Sequence, residues 1–302
     1  MHKTQLFSQV LLALAAGVPQ TLFAQLSPSA TWAAQAPAEY QVFPNPTYLT
    51  ASNYEVKLDI YQRRNQTTPQ PTLIFMHGGF WAAGAKETSL MSLMPWFEMG
   101  WNVVNVEYRL ARVALAPAAV EDCMCALRYL ATNAKTYNID LNRLVLSGES
   151  AGGHLSLTTG IIPESAGLDR ECAGAPLPKA AAIINWYGIT DVGDVIEGPH
   201  KANLAAQWVG SLPNRDEIAH RVSPLTYVRA GLPPILTIHG DADPMVPYQH
   251  AVRLHEALTK VNVPNQLLTI PGGKHGGFTG EERARIYMVI REFLAKNGLG
   301  EK

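Results

Sequence analysis

The sequence predicts an α/β domain built on a mostly parallel sheet with helices on both faces. Apolar runs of strand length alternate along the chain with amphipathic helical stretches, which is the pattern of a sheet joined by crossover helices. Reactive side chains stand where several of these runs end, and open α/β sheets place their active sites there. The 302 residues, 47% hydrophobic and 16% charged, suffice for one large domain with a buried core.

The predicted strands are short and recur along the chain. The first, at 54–61, alternates apolar and polar residues, which is typical of a half-exposed edge strand. The later strands are largely apolar, as expected of strands that neighbouring layers cover. They are Thr72–Met76, Asn102–Val106, Leu144–Leu146, Ala181–Trp186, Ile235–Ile238 and Leu267–Ile270.

Helical patterns fill most of the remaining chain. Amphipathic or proline-initiated stretches predict helices at Pro117–Ala134, Tyr248–Lys260 and Glu281–Lys296. The segment 188–233 has no strand periodicity and contains several glycines and prolines. We expect it to form an inserted lid or cap over the site, with short helices at 202–209 and 216–221.

The pentapeptide Gly148-Glu149-Ser150-Ala151-Gly152 follows an apolar strand and precedes a helix-like stretch. A serine in this setting lies on a sharp strand-to-helix turn that pushes its hydroxyl clear of the sheet. Small neighbours are needed because the backbone packs tightly around such a turn. The pentapeptide also occurs in ordinary turns, so the motifs around it decide whether Ser150 is a nucleophile.

The first of these motifs is a glycine loop, His77-Gly78-Gly79-Phe80-Trp81, which follows the strand at 72–76. Acyl transfer builds negative charge on a carbonyl oxygen, and backbone N–H groups aimed at that oxygen stabilise it. We assign this role to Gly78 and Gly79, together with Ala151, whose N–H follows the nucleophile. Phe80 can replace one of the glycines as a donor.

The second motif offers a carboxylate, which a catalytic triad needs to orient its histidine. Asp241 and Asp243 both lie in the loop that follows the strand Ile235–Ile238. Asp241 suits a turn, because a short carboxylate there accepts hydrogen bonds from its own backbone. The same turn-forming role is open to Asp243.

The third motif is His275, which lies between two pairs of glycines after the last predicted strand. This loop can bring the imidazole over Ser150 as the general base of the triad. The chain order serine, aspartate, histidine is the order found on this kind of sheet. The other histidines need no catalytic role: we expect His77 to brace the glycine loop through a backbone hydrogen bond, His154 to pack, and His239 to be structural.

Together these motifs resemble the α/β-hydrolases of the carboxylesterase and hormone-sensitive-lipase-like kind, and especially bacterial secreted feruloyl or acetyl-xylan esterases. The resemblance covers most of the chain from about Tyr54 onward. It implies the α/β-hydrolase fold with a lid insertion, and a serine esterase that needs no metal or organic cofactor. It also favours Asp243 as the acid, since the family carries its acid just before an x-x-Val-Pro segment. Phe80 stands where lipase-like members have a third glycine.

The predicted function is that of a secreted serine carboxylesterase acting through an acyl-enzyme, with carbohydrate-linked feruloyl or acetyl esters as substrates. Trp81 and Tyr187, each just beyond a strand end, are candidate substrate-binding residues. Three alternatives share this fold: an aryl-formamidase-like amide hydrolase, a prolyl-oligopeptidase-like serine peptidase, and a non-catalytic binding protein. The formal net charge of −1 does not indicate the excess of basic residues that a nucleic acid partner would require.

The pattern of the N-terminal residues indicates a targeting segment. A polar start and a short apolar core predict a signal peptide over 1–24, and hence a secreted or periplasmic protein without stable membrane insertion. We expect an N-terminal arm at 25–53 and the hydrolase domain at 54–302. Because export permits disulfides, Cys172 is expected to pair with either Cys123 or Cys125. The spacing of these cysteines does not indicate a metal site.

Overall fold

The computed structural model describes residues 26–172 and 177–300, so the predicted signal peptide lies outside the described residues. The strands are β1 (Tyr40–Phe43), β2 (Thr47–Ala51), β3 (Tyr54–Arg63), β4 (Gln70–Met76), β5 (Asn102–Val106), β6 (Ile139–Glu149), β7 (Ala182–Trp186), β8 (Ile235–Gly240) and β9 (Asn265–Ile270). The α-helices are α1 (Pro28–Glu39), α2 (Leu90–Glu98), α3 (Ala118–Thr132), α4 (Ala151–Ile161), α5 (Val192–Ile196), α6 (Asn203–Val209), α7 (Arg215–Arg221), α8 (Gln249–Lys260) and α9 (Gly280–Lys296). Short 3-10 helices lie at Lys86–Ser89, Glu164–Ala166, Gly198–His200 and Pro224–Tyr227.

The sheet confirms the predicted α/β architecture. Its strand order is β1-β3-β5-β4-β6-β7-β8-β9, and β2 also pairs with β3. The six strands β4 to β9 run parallel to one another, and β3 is antiparallel to β5. One apolar cluster packs on each face of the sheet, which is why every residue of β5, β7 and β8 is buried. This is the α/β-hydrolase fold.

The prediction of an edge strand at 54–61 was wrong, because β3 lies inside the sheet between β1 and β5. The covering strands come from the stretch interpreted as an arm. Ser52 and Asn53, both in the left-handed region at φ 51° and 55°, form the tight turn that joins β2 to β3. Tyr40, Tyr48 and Leu49 are buried and add apolar area to the sheet.

The other predicted elements agree with the structure within a few residues, except that β6 extends from Ile139 to Glu149, beyond both ends of the predicted strand Leu144–Leu146. The helices α3, α8 and α9 match their predicted spans, and α6 and α7 are the short helices expected in the segment 188–233. Helix α2 was not predicted, because Pro95 in its interior obscures a helical pattern. None of the helices in the described residues is both long and apolar enough to span a bilayer.

A disulfide joins Cys125 on α3 to Cys172, while Cys123 is a buried free thiol. Of the two pairings that the sequence left open, the structure therefore has the one with Cys125. The bond closes a loop across 47 residues of sequence, and closing a loop of that length restricts the unfolded chain.

We expect the double substitution Cys125→Ala, Cys172→Ala to lower the free energy of unfolding by about 2–4 kcal/mol through lost loop closure. Urea unfolding of both proteins, with and without a reductant, measures this difference. The reductant should bring the unsubstituted protein down to the variant and leave the variant unchanged. Equal stability of the two oxidised proteins would contradict the prediction.

Candidate active site

Ser150 lies on a tight turn between β6 and α4. Its backbone takes φ 58° and ψ −118°, a sparsely populated conformation for a residue with a side chain. A Cβ on Gly148 would lie 2.4 Å from the backbone of Gly152, and a Cβ on Gly152 would lie 2.0 Å from the carbonyl oxygen of Met76. The turn can therefore close only with glycine at both positions, and the chain bends so that the serine hydroxyl stands clear of the sheet.

The structure brings Ser150, His275 and Asp243 together, although 125 residues separate the serine from the histidine. His275 Nε2 lies 2.8 Å from Ser150 Oγ, and His275 Nδ1 lies 2.7 Å from Asp243 Oδ2. The carboxylate can only accept, so His275 donates through Nδ1–H and its Nε2 lone pair faces the serine hydroxyl. The histidine side chain is 12% exposed and the aspartate side chain is fully buried.

The carboxylate of Asp243 is saturated with hydrogen bonds. Its Oδ1 accepts from the backbone N–H groups of Met245 (2.8 Å) and Val246 (3.0 Å), and its Oδ2 accepts from His275 and faces His239 Nε2 at 3.2 Å. Burial alone would raise the pKa of Asp243. The hydrogen bonds from the two histidines and from Val246 outweigh burial and hold that pKa well below its usual range.

Asp241, the other candidate acid, makes no hydrogen bond or ion pair with His275 among the described residues. Its exposed side chain accepts a hydrogen bond from the N–H of Gly272, at 2.6 Å. It therefore ties the loop after β8 to the loop that carries the histidine, which is the turn-stabilising role expected of it. Of the two aspartates, the structure places only Asp243 against the imidazole.

The glycine loop lies against the nucleophile. A Cβ on Gly78 would be 3.5 Å from the Cβ of Ser150. Gly79 has φ 123°, and a Cβ there would lie 2.1 Å from a backbone oxygen four residues later. In the part of the chain that the structure describes, no group accepts a hydrogen bond from the N–H of Gly78, Gly79 or Ala151. An oxyanion hole requires N–H donors that are not already bonded within the protein, so the assignment of these three groups stays a prediction that the structure allows.

His77 makes the hydrogen bond that was expected of it. Its Nδ1–H donates to the carbonyl oxygen of Gly78 at 2.8 Å, and its ring stacks on Tyr108 with 4.3 Å between centroids. Across a trans peptide the C=O and the next N–H point in opposite directions. By holding the carbonyl of Gly78, His77 therefore fixes the direction of the N–H of Gly79.

Trp81 does not take the substrate-binding position predicted for it. The side chain is fully buried, its Nε1–H donates to His154 Nδ1 at 3.0 Å, and its ring stacks on Trp208 at 4.1 Å. His154 Nε2–H in turn donates to the carbonyl oxygen of Val222 at 2.7 Å. Burial lowers the pKa of His154 to about 3, so the ring is neutral and can accept from Trp81. This pair links the glycine loop to α4 and to the segment 188–233.

Tyr187 packs directly on the candidate base. Its ring meets His275 edge to face, with 4.7 Å between the centroids. Burial and the nearby Glu149 raise the pKa of this tyrosine well above its usual value. The backbone has φ 41°, in the left-handed region, which is uncommon for a bulky residue and frequent at functional sites. Its contact with substrate stays a prediction, because the side chain is mostly buried.

Comparison with known proteins places the chain in a family. The model of the family described as BD-FAE matches residues 58–258, which is more than half of the sequence. The protein belongs to the BD-FAE family. A carbohydrate esterase from gut microbiota, solved in truncated form, is 28% identical to this BD-FAE member with a TM-score of 0.72, covering 84% of this chain and 97% of that one.

Other relatives of this BD-FAE chain are esterases too. Butyrate-bound esterase Est2 of Thermogutta terrifontis is 26% identical, with a TM-score of 0.72 and coverage of 88% of this chain and 96% of its own. Esterase LipC of Mycobacterium tuberculosis is 27% identical over 227 residues, which are 72% of this chain and 56% of LipC. The BD-FAE chain thus spans little more than half the length of such curated relatives.

Proposed function

We propose that the protein is a serine carboxylesterase that hydrolyses its substrates through an acyl-enzyme. The observation that carries this proposal is the unbroken hydrogen-bond chain from Asp243 through His275 to Ser150, at 2.7 and 2.8 Å. Such a chain activates a hydroxyl that is otherwise a poor nucleophile. The esterase relatives of the family support the same chemistry.

The proposed reaction has two halves. In the first, Ser150 Oγ attacks the ester carbonyl while His275 Nε2 takes its proton, and the N–H groups of Gly78, Gly79 and Ala151 stabilise the oxyanion. The C–O bond to the alcohol then breaks, and His275 returns the proton to the leaving oxygen. In the second half, water attacks the acyl-enzyme and loses a proton to His275. The bond from the acyl carbon to Ser150 Oγ then breaks, His275 returns the proton to Oγ, and the carboxylic acid leaves.

We propose further that the ester is carbohydrate-linked, with a feruloyl or acetyl group as the acyl part, and that the enzyme is exported. The carbohydrate esterase among the structural relatives supports such a substrate. The disulfide between Cys125 and Cys172 supports export, because such bonds persist in oxidising compartments. The mass of the protein recovered outside the cytoplasm tests export: an unprocessed N-terminus would count against cleavage after Ala24.

Release of acid from a feruloyl-arabinoxylan, an acetylated xylan and a short p-nitrophenyl ester tests the substrate class, with Ser150→Ala as the blank for each. We expect kcat/KM on one polysaccharide ester to exceed that on the synthetic ester. Activity confined to the synthetic ester would leave a general carboxylesterase and remove the carbohydrate proposal. Faster cleavage of an aryl formamide or a peptide anilide would favour the amide hydrolase or the peptidase instead.

A further inference from the structure

The triad acid has a second histidine partner. His239, at the end of β8, is fully buried, and its Nε2 lies 3.2 Å from Asp243 Oδ2 and 3.0 Å from the carbonyl oxygen of Val246. Asp243 Oδ2 therefore faces two imidazoles, since His275 Nδ1 lies on it at 2.7 Å. Nothing in the reaction outlined above requires His239.

The surroundings of His239 determine which nitrogen carries its proton. Both neighbours of Nε2 are acceptors, a carboxylate and a backbone carbonyl, so the hydrogen resides on Nε2. Its Nδ1 is buried and has no hydrogen-bond partner among residues 26–172 and 177–300. Tyr187 and Tyr248 pack edge-on against the ring, with centroids at 6.5 and 5.8 Å. Every polar contact of this side chain is thus directed at the acid loop.

Val246 completes a closed arrangement around the carboxylate. Its N–H donates to Asp243 Oδ1 at 3.0 Å, while its carbonyl oxygen accepts from His239 Nε2–H at 3.0 Å. The backbone amides hold Oδ1 and His275 Nδ1–H holds Oδ2, but the imidazole of His275 is the group that the carboxylate must itself orient. His239 Nε2–H donates to the Val246 carbonyl, and the same nitrogen lies 3.2 Å from Oδ2, so the buried end of β8 restrains both the acid loop and the oxygen that faces His275.

We infer that His239 is a positioning residue for the triad acid: it holds the plane of the Asp243 carboxylate and the loop that carries it. This role rests on the proposed function, because it acts through Asp243 on His275. Positioning of reacting groups contributes strongly to rate, and a misplacement of about 1 Å can cost on the order of 10²-fold. His239 therefore acts on kcat without touching the substrate.

Three substitutions at this position separate the role from simple packing. His239→Gln keeps an N–H where Nε2 stands, His239→Asn moves its N–H to the place of the unpartnered Nδ1, and His239→Leu removes it. We expect the Leu and Asn variants to lose roughly 10- to 100-fold in kcat with little change in KM, and the Gln variant to recover most of that loss. Rates are expressed per serine labelled by a fluorophosphonate, so that unfolded protein does not count.

The matched control is His255→Leu. His255 is also a buried histidine, and its Nδ1 bonds to Asn265 Oδ1 at 2.8 Å, at the start of β9 rather than at its active-site end. We expect this variant to lose stability and to keep its kcat per labelled site. Should His239→Leu fail to fold, the difference in kcat between His239→Gln and His239→Asn still tests the role of His239.

The role of His239 would be overturned if His239→Asn had the same kcat as the unsubstituted protein, or if His239→Gln were as slow as His239→Asn. Failure of the proposed function looks different: the unsubstituted protein would then hydrolyse no ester, or Ser150→Ala would hydrolyse it equally well.

Discussion

Ser150→Ala is expected to lower kcat on any ester substrate by at least about 10⁴-fold, because the acyl-enzyme can no longer form. The protein should fold normally. Alanine is no more strained than serine at φ 58°. Among the described residues, His275 is the only side chain that hydrogen-bonds to the serine hydroxyl. Hydrolysis of a p-nitrophenyl ester together with the thermal unfolding midpoint of both proteins measures the two effects.

Ser156→Ala is the matched control. Ser156 is also buried on α4, but its Oγ donates to the carbonyl oxygen of Gly153 at 2.8 Å and takes no part in the triad. It should keep its activity and its labelling by a fluorophosphonate, whereas Ser150→Ala should lose both. Hydrolysis that persists at the same rate in Ser150→Ala would remove Ser150 as the nucleophile.

The sequence reveals the tight turn at Ser150 and the parallel strands because both depend on local rules. Only glycine fits beside Met76 and across the turn at Gly148 and Gly152, and so the motif records a steric requirement directly. The buried strands need apolar side chains on both faces, which makes them visible as apolar runs.

Other features depend on contacts between distant segments, and the sequence could not disclose them. The strands β1 and β2 are short, and their buried and exposed residues do not alternate, so only their pairing with β3 shows that they belong to the sheet. Trp81 follows a strand end as a substrate contact would, and its burial depends on Trp208, which lies far along the chain. His239 reads as any strand-end residue until its distance to Asp243 is known.

Asp243→Asn is expected to lower kcat by about 10⁴-fold, and the hydrogen bonds of the carboxylate give the reason. Two backbone N–H groups, those of Met245 and Val246, require an acceptor at the Oδ1 position, so the asparagine oxygen takes that place. Its NH₂ group then faces His275 Nδ1. The imidazole can accept this donor only by moving its proton to Nε2, and a protonated Nε2 cannot take the proton of Ser150.

Asp241→Asn tests the same argument from the opposite side. Asp241 accepts one hydrogen bond, from the N–H of Gly272, and an asparagine oxygen accepts it equally well. We therefore expect this variant to keep kcat within the error of the measurement, while Asp243→Asn binds substrate with little change in KM and turns it over slowly. If the two variants lost activity equally, the acid loop as a whole, and not the tautomer that Asp243 imposes on His275, would set the rate.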